Sequence, residues 1–347
     1  MKTMNMLSLI FVLLLSTTIC TKDFSVLDVN SSLPSKELFK HYHRLHDKEY
    51  SINSQEALNR YRTFKLNLKW CREENQKLGK TTYGITPFTD MTQEEFAKTM
   101  TVEPQVFQRG LDEMKERAGS FLGSSPILNF EEDIPNLKST VDWTGEIDPP
   151  RDQGKCGSCW AFAAIATLEA SYKAKSGTYT RFSEQYLINC DTYDNGCNGG
   201  HPINAFVWTF YNGAIPRHLL PYAAKKNTCP ANLKGNEIKG MVKSVYIEKG
   251  LDNFKKWVGR GPTAVAMDGK FAGFKQFKPS SNEIVEPKGS CGGVNHAVVA
   301  MGYGTENGRG YAIVRNSWGT HWGYQGNFRI PLDDSCHIAD EVYPHKA

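Results

Sequence analysis

No stretch of this sequence gathers lysine and arginine beyond a short pair, and the formal net charge is only +4 over 347 residues. A nucleic-acid surface needs a basic stripe, so no nucleic-acid partner is expected. Beyond the N-terminus no segment approaches the roughly 20 apolar residues that cross a bilayer, and no membrane span is expected either. Repeats and low-complexity runs are missing as well, which excludes a repeat array.

What is present starts with the leader. MKTMNMLSLIFVLLLSTTIC, residues 1–20, has one lysine, an apolar run too short to span a membrane, and small polar residues. This is the layout of a signal peptide cut near Cys20, and it predicts a soluble chain in the secretory pathway. With 40% hydrophobic and 12% aromatic residues, the remainder can bury one large core or two moderate ones. Nine cysteines in an exported chain predict disulfides. Cys20 leaves with the leader and Cys71 stands apart, so Cys156, Cys159, Cys190, Cys197, Cys229, Cys291 and Cys336 form the cluster. Their number is odd, and one thiol must stay free.

Residues 33–98 read as helical and charged. Leu38, Tyr42 and Leu45 recur at helical spacing, and a longer helix runs through EALNRYRTFKLNLKWCREENQKLG to Gly79. On it Glu56, Arg60, Phe64, Asn67, Cys71 and Asn75 share one face, with Glu56 placed to pair with Arg60. A solvated amphipathic helix has the same spacing. Residues 100–133 are poor in periodicity and rich in Gly, Ser, Gln and acids, which predicts a linker or cuttable segment. From Ile134 the composition turns to Gly, Trp, Tyr and Cys, so the second unit is expected to cover 134–347.

In that unit KCGSCWAF, residues 155–162, carries two cysteines three positions apart. A zinc site would want a second pair of short spacing, but Cys190 and Cys197 are seven apart. A redox pair of the thioredoxin type has its tryptophan before the motif, not after it. The third option is two thiols with separate tasks. Cys159 opens an apolar helix that stops at Gly177, and a helix N-terminus lowers a thiol's pKa. Further on, HAVVAMGYG and YAIVRNSWG flank the turn ENGRG and predict an antiparallel hairpin. Counting out from Asn307 places His296 and Asn316 together at its open end. A thiol, an imidazole and an amide that orients the imidazole are the parts of a nucleophilic triad, with the first two expected as a thiolate–imidazolium pair.

QGKCGSCWAF, NGCNGG, VNHAV and NSWGTHWG together resemble the blocks of the papain-like cysteine peptidases, over residues 35 to the end. The fold implied is α+β: a mainly helical half carrying Cys159, an antiparallel-sheet half carrying His296 and Asn316, a cleft between them, and a small helical pro-domain over it. By the same resemblance Cys159 is the nucleophile, His296 the base and later acid, and Asn316 the orienter. Gln153 donates to the oxyanion, and Trp318 shields the His296–Asn316 contact. The disulfides implied are Cys156–Cys197, Cys190–Cys229 and Cys291–Cys336, which leaves Cys159 as the free thiol. Gly157, Gly199 and Gly200 would line the substrate strand. His201, Pro202 and Ala266 would surround a pocket for the second residue before the cut, with Glu341 or, on a different count, Asp340 at its floor. An acidic floor would accept Arg as well as Leu or Phe.

Residues 21–133 are similar to the inhibitory pro-segment of cathepsin L-type members, whose helix pattern E-x3-R-x3-F-x2-N-x3-I-x3-N is matched except that Cys71 replaces the isoleucine. In the following G-x-N-x-F-x-D element Thr86 replaces the asparagine. The stretch from Trp143 to Gln153 is shorter than the usual pattern. The expected protein is thus a cysteine endopeptidase made as a zymogen, lysosomal or extracellular and monomeric. It would need no metal or cofactor, and its partners would be protein or peptide substrates and its own pro-segment. The rival reading is a catalytically silent binding protein on the same fold.

Overall fold

Two apolar stripes at helical spacing build the N-terminal unit. The computed structural model describes residues 24–120, 137–333 and 335–346. The expected leader, and residues 121–133 of the stretch where cleavage is expected, lie outside them. Helix α1 spans Ser35–Leu45 and α2 Gln55–Leu78. Ser54 caps α2 by accepting the Ala57 N–H, and Gly79 ends it in the left-handed conformation at φ 67°. Of the face predicted from spacing, Phe64, Cys71 and Asn75 are buried, Arg60 and Asn67 half-buried and Glu56 exposed; Phe64, Leu68 and Cys71 pack with Leu38, Phe39, Tyr42 and Leu45. A fully buried side chain such as Phe64 contributes roughly 1.5–3 kcal/mol. A solvated helix is thereby ruled out. Helix α3, Gln93–Met100, starts with a capping box between Thr92 and Glu95.

The expected linker departs from its reading. Residues Pro104–Ser120 form helix α4. Proline at a first helical position costs no hydrogen bond. Gln108–Asp112 and Arg109–Glu113 contacts run along the exposed side. The helix is held from outside: a Cβ added at Gly110 would lie 3.4 Å from the His201 Cβ on the second unit.

In the second unit one half is helical: α5 Cys159–Ser176, α6 Glu184–Cys190 and α7 Pro202–Asn212. Residues Cys159 to Ala170 of α5 are all buried, and Gly177 stops the helix at φ 73°. The other half is a six-stranded antiparallel sheet. It comprises β1 Val141–Asp142, β3 Thr263–Met267, β4 His296–Glu306, β5 Arg309–Arg315, β6 Asn327–Pro331 and β7 Val342–Tyr343. The order is β6-β5-β4-β3-β7, with β1 also on β4. A small pair, β2 Ser244–Val245 with β8 His345–Lys346, and helix α8 Leu251–Val258 complete it. The predicted hairpin is β4–β5, turned by Asn307 and Gly308, both at positive φ. The papain-like arrangement of a helical half, a sheet half and an N-terminal helical unit is thus present. No helix among the described residues is long and apolar enough to cross a membrane.

Candidate active site

The site forms where the N-terminus of α5 meets the first residues of β4. Ser158 gives that helix no side-chain cap, so its first N–H groups remain directed at the site. Cys159 and His296 are fully buried, and the backbone N–H of Ala297, next to His296, is aimed at the Cys159 sulfur. His296 Nε2 lies 2.8 Å from Asn316 Oδ1, which also accepts the Ser317 N–H at 2.8 Å. The second bond fixes which end of the amide is oxygen. An oxygen only accepts, so Nε2 carries the ring proton and Nδ1 keeps its lone pair. Among the described residues Nδ1 has no hydrogen-bond partner. The indole of Trp318 stacks on the His296 ring at 4.8 Å between centroids and covers the contact with Asn316.

Charge is where expectation and structure differ. Burial pushes the Cys159 thiol up to about 11, although N–H groups of Ala297 and Trp160 pull the other way. Burial likewise pushes His296 down to about 4, against its bond to Asn316. In the docked zymogen burial thus opposes the ion pair expected from the helix dipole. The cause is desolvation, which disfavours both charged forms. The pro-segment contributes to it directly: Val102 packs in the same apolar cluster as Cys159 and Trp160, and its N–H donates to the Asn295 carbonyl at 2.8 Å.

Gln153 is fully buried, and its orientation is set by a residue that motif reading passed over. The Ser317 hydroxyl donates to Gln153 Oε1 at 2.6 Å, and Nε2 donates to the Cys156 carbonyl at 2.9 Å. One amide proton is left for a ligand. Arg151 is a second residue not anticipated. It pairs with Glu169 of α5 and Glu184 of α6, tying the loop that delivers Gln153 to the helix that delivers Cys159. Ser317 lies inside the NSWGTHWG block and Arg151 two positions before QGKCGSCWAF, which is the only signal the sequence held for them.

Cysteines 156 and 197, 190 and 229, and 291 and 336 are bonded. Cys159 and Cys71 are free and buried. Gly157 donates its N–H to the Cys197 carbonyl at 2.9 Å, and a Cβ there would come within 2.7 Å of that oxygen. Gly199 has φ 109°, and a Cβ on it would meet Val102 of the pro-segment at 2.6 Å, so the chain covering the cleft passes where side chains are missing. Gly200 packs against Trp160 and Asp194.

A model of the papain family cysteine proteases matches residues 137–345, and one of the cathepsin propeptide inhibitor domain matches residues 39–96. The chain belongs to the papain family of cysteine proteases. It is 33% identical to caricain of Carica papaya over 318 residues, 87% of this chain and 84% of that one. The solved digestive procathepsin L 3 of Tenebrio molitor larval midgut superposes with a TM-score of 0.76 at 26% identity, over 91% of this chain and all of that one. A recombinant stem bromelain precursor does so with 0.74 at 31% identity, over 90% and 99%.

This papain-family protease is a cysteine endopeptidase in zymogen form, with the inhibitory domain docked. Phe88 and Phe96 of the pro-segment meet Trp318 edge-on at 5.4 and 5.2 Å. Thr86, where the family pattern has asparagine, donates its hydroxyl to the Lys275 carbonyl at 2.9 Å. Cys71, in place of isoleucine, is 1% exposed and fills the same apolar position.

At the anticipated pocket the two acids separate. Glu341 is turned inward: its backbone carbonyl accepts the Ala266 N–H, and its carboxylate accepts the Tyr343 hydroxyl and lies 3.7 Å from His201 Nε2. Pro202 opens α7 and is buried. Asp340 is not brought to this group. It pairs with His337 Nδ1 at 2.6 Å with its side chain 41% exposed.

Proposed function

We propose that this zymogen matures to an exported endopeptidase that cleaves peptide bonds through a thioester on Cys159. Residues 1–20 act as leader, 21–133 as pro-segment and 134–347 as mature enzyme, acting as a monomer in an acidic compartment or outside the cell. With the pro-segment gone, water reaches the cleft and the penalty on both charges falls. The Cys159 proton then moves to His296 Nδ1, and the thiolate attacks the substrate carbonyl. The oxyanion is held by the Gln153 amide and the Cys159 N–H. The imidazolium returns its proton to the leaving amine, and water activated by His296 hydrolyses the thioester. Asn316 holds the ring throughout, under Trp318. The substrate backbone lies along Gly157, Gly199 and Gly200. Its second residue before the cut enters the pocket of His201, Pro202, Ala266 and Glu341, where a guanidinium can pair with the carboxylate while its stem packs on apolar walls.

The observations that carry this reading are the His296–Asn316 contact, which leaves Nδ1 unprotonated, and the buried, unbonded Cys159 thiol, at which the N–H of Ala297, the residue after His296, is aimed. The test is turnover of a peptide substrate after acid activation. Cys159→Ser should abolish it with the three disulfides intact, and Asn316→Ala should cost less than His296→Ala. Turnover by Cys159→Ser equal to that of the unaltered chain would end the cysteine-peptidase mechanism.

A further inference from the structure

Strand β3 ends beside His296, and the residue that follows it is a buried acid. Met267 is the register partner of His296, so Asp268 emerges next to Asn295. Asp268 is 1% exposed. Its Oδ1 accepts the Asn295 Nδ2–H at 2.6 Å and the Lys270 N–H at 3.0 Å, and its Oδ2 accepts the Gly292 N–H at 2.6 Å. Accepting three times and donating nowhere is the pattern of a carboxylate. Asn295 turns its other end to the same loop, where its Oδ1 accepts the Gly269 N–H at 2.9 Å. Gly269 is thereby held against the histidine: a Cβ on it would lie 2.7 Å from the His296 Cβ and 3.0 Å from its Cδ2. The block VNHAV marks Asn295 and His296, but nothing in it points to Asp268.

Charge adds to this geometry. Burial pushes His296 down, while the bond to Asn316 and then the negative charge of Asp268 work against it. Cys159 faces this site from α5, and Asn316 and Trp318, both uncharged, hold and cover the ring from the segment after β5. Lys270 lies on the Asp268 turn itself and is half-buried. Asp152 lies beyond Trp318, against Gly319. Val102 is apolar and leaves with the pro-segment. Among the described residues Asp268 is the charged group that acts on the His296 ring.

We propose that Asp268 is a positioning residue for the hydrolysis: through Asn295 it fixes the turn behind His296, and its charge sustains the imidazolium that pairs with the Cys159 thiolate. The inference rests on the reading that His296 is the base for Cys159. A carboxylate in this place favours the protonated ring and, by the same sign, opposes the thiolate. Removing it lowers both titrations and moves the whole bell of activity toward acid.

The experiment uses the full chain, activated by acid, and follows kcat/KM for one peptide substrate from about pH 4 to 10. Asp268→Asn retains the Oδ1 acceptor and Asp268→Ser a single hydroxyl, and neither carries a charge. In both, the alkaline limb should fall by about 0.5–1 pH unit, which on that limb is a loss of ~3- to 10-fold in kcat/KM. The two should shift alike, because they lose the same charge. A purely structural role would instead follow the number of bonds kept and lower the plateau without moving the limb. Combining Asp268→Asn with Asn295→Asp returns a carboxylate to the turn, and the limb should move back toward its original position. Alkylation of Cys159 reports that each activated variant has a formed site. An unmoved limb in either single variant overturns the proposal. Failure of both to mature, with the double variant doing no better, overturns it as well, since Asp268 would then serve folding alone. Undiminished turnover by His296→Ala would instead defeat the reading of His296 as the base, and this inference with it.

Discussion

Truncating Phe96 to alanine should open the zymogen at neutral pH without touching any residue of the mature enzyme. Phe96 is fully buried and sits edge-on to Trp318 and to Phe88, each with centroids 5.2 Å away. Removing a phenyl ring from a packed core costs about 3–5 kcal/mol. Phe88 belongs to the pro-segment and stays beside Phe96 whether or not the two units are docked. Only the half of the loss that faces Trp318, roughly 1.5–2.5 kcal/mol, falls on docking. At about 1.4 kcal/mol per factor of ten, the open population rises ~10- to 60-fold. The assay is alkylation of Cys159 in the intact chain at neutral pH, followed by mass spectrometry of its own peptide, because Cys71 is a second free thiol. Phe96→Leu should give an intermediate rate. A Phe96→Ala rate within about twofold of the unaltered chain, with helix content unchanged, would refute the claim that this contact holds the cleft shut.

Acid release depends on carboxylates that cross between the units: Glu49 with Lys155 at 2.6 Å, and Glu74 with Lys288. Lysine partners hold both carboxyls below their ordinary value, so their contribution to docking is present above about 4.5 and lost as pH falls through the lowered values. Glu74→Gln should therefore shift processing to higher pH by a few-fold in rate, measured by gel at several pH values. In the mature half the sign is opposite: burial first, and Asp194 second, push the Asp191 carboxyl well up. That pair stabilises the fold at acid pH and ceases to do so as pH rises through the raised value. Asp194→Asn should raise Tm at neutral pH and change it less at acid pH; an equal change at both would contradict the shared burial of the two acids.

Helix α2, helix α5 and the β4–β5 hairpin were legible because each carries its own punctuation, Gly79, Gly177 and the Asn307-Gly308 turn. Helix α4 was not, because its stability comes from the cleft on which it lies, and weak internal periodicity is what such a segment shows. Yet Pro104 and the Arg109–Glu113 spacing were present as local signs. The triad residues could be placed by motif, but their protonation could not. A helix N-terminus favours a thiolate wherever it occurs, whereas the burial that cancels it depends on Val102, a residue 57 positions before Cys159 that no motif links to it. Ser317 and Arg151 were hidden for a related reason, since each acts by orienting a neighbour.

The three disulfides close loops of similar span, 41, 39 and 45 residues, and each stays within one half of the mature enzyme. No such bond among the described residues joins the helical half to the sheet half. Oxidation can therefore be completed in each half as a local event before the halves dock, with modest loop-closure cost. The one hazard lies in order of synthesis, N-terminus first. Cys159 emerges three residues after Cys156 and well before Cys197, so the future nucleophile is the first thiol of the cluster to meet its neighbour. Burying it at the start of an apolar helix, beneath a pro-segment already made, removes that thiol from exchange while the correct partner is still being synthesised.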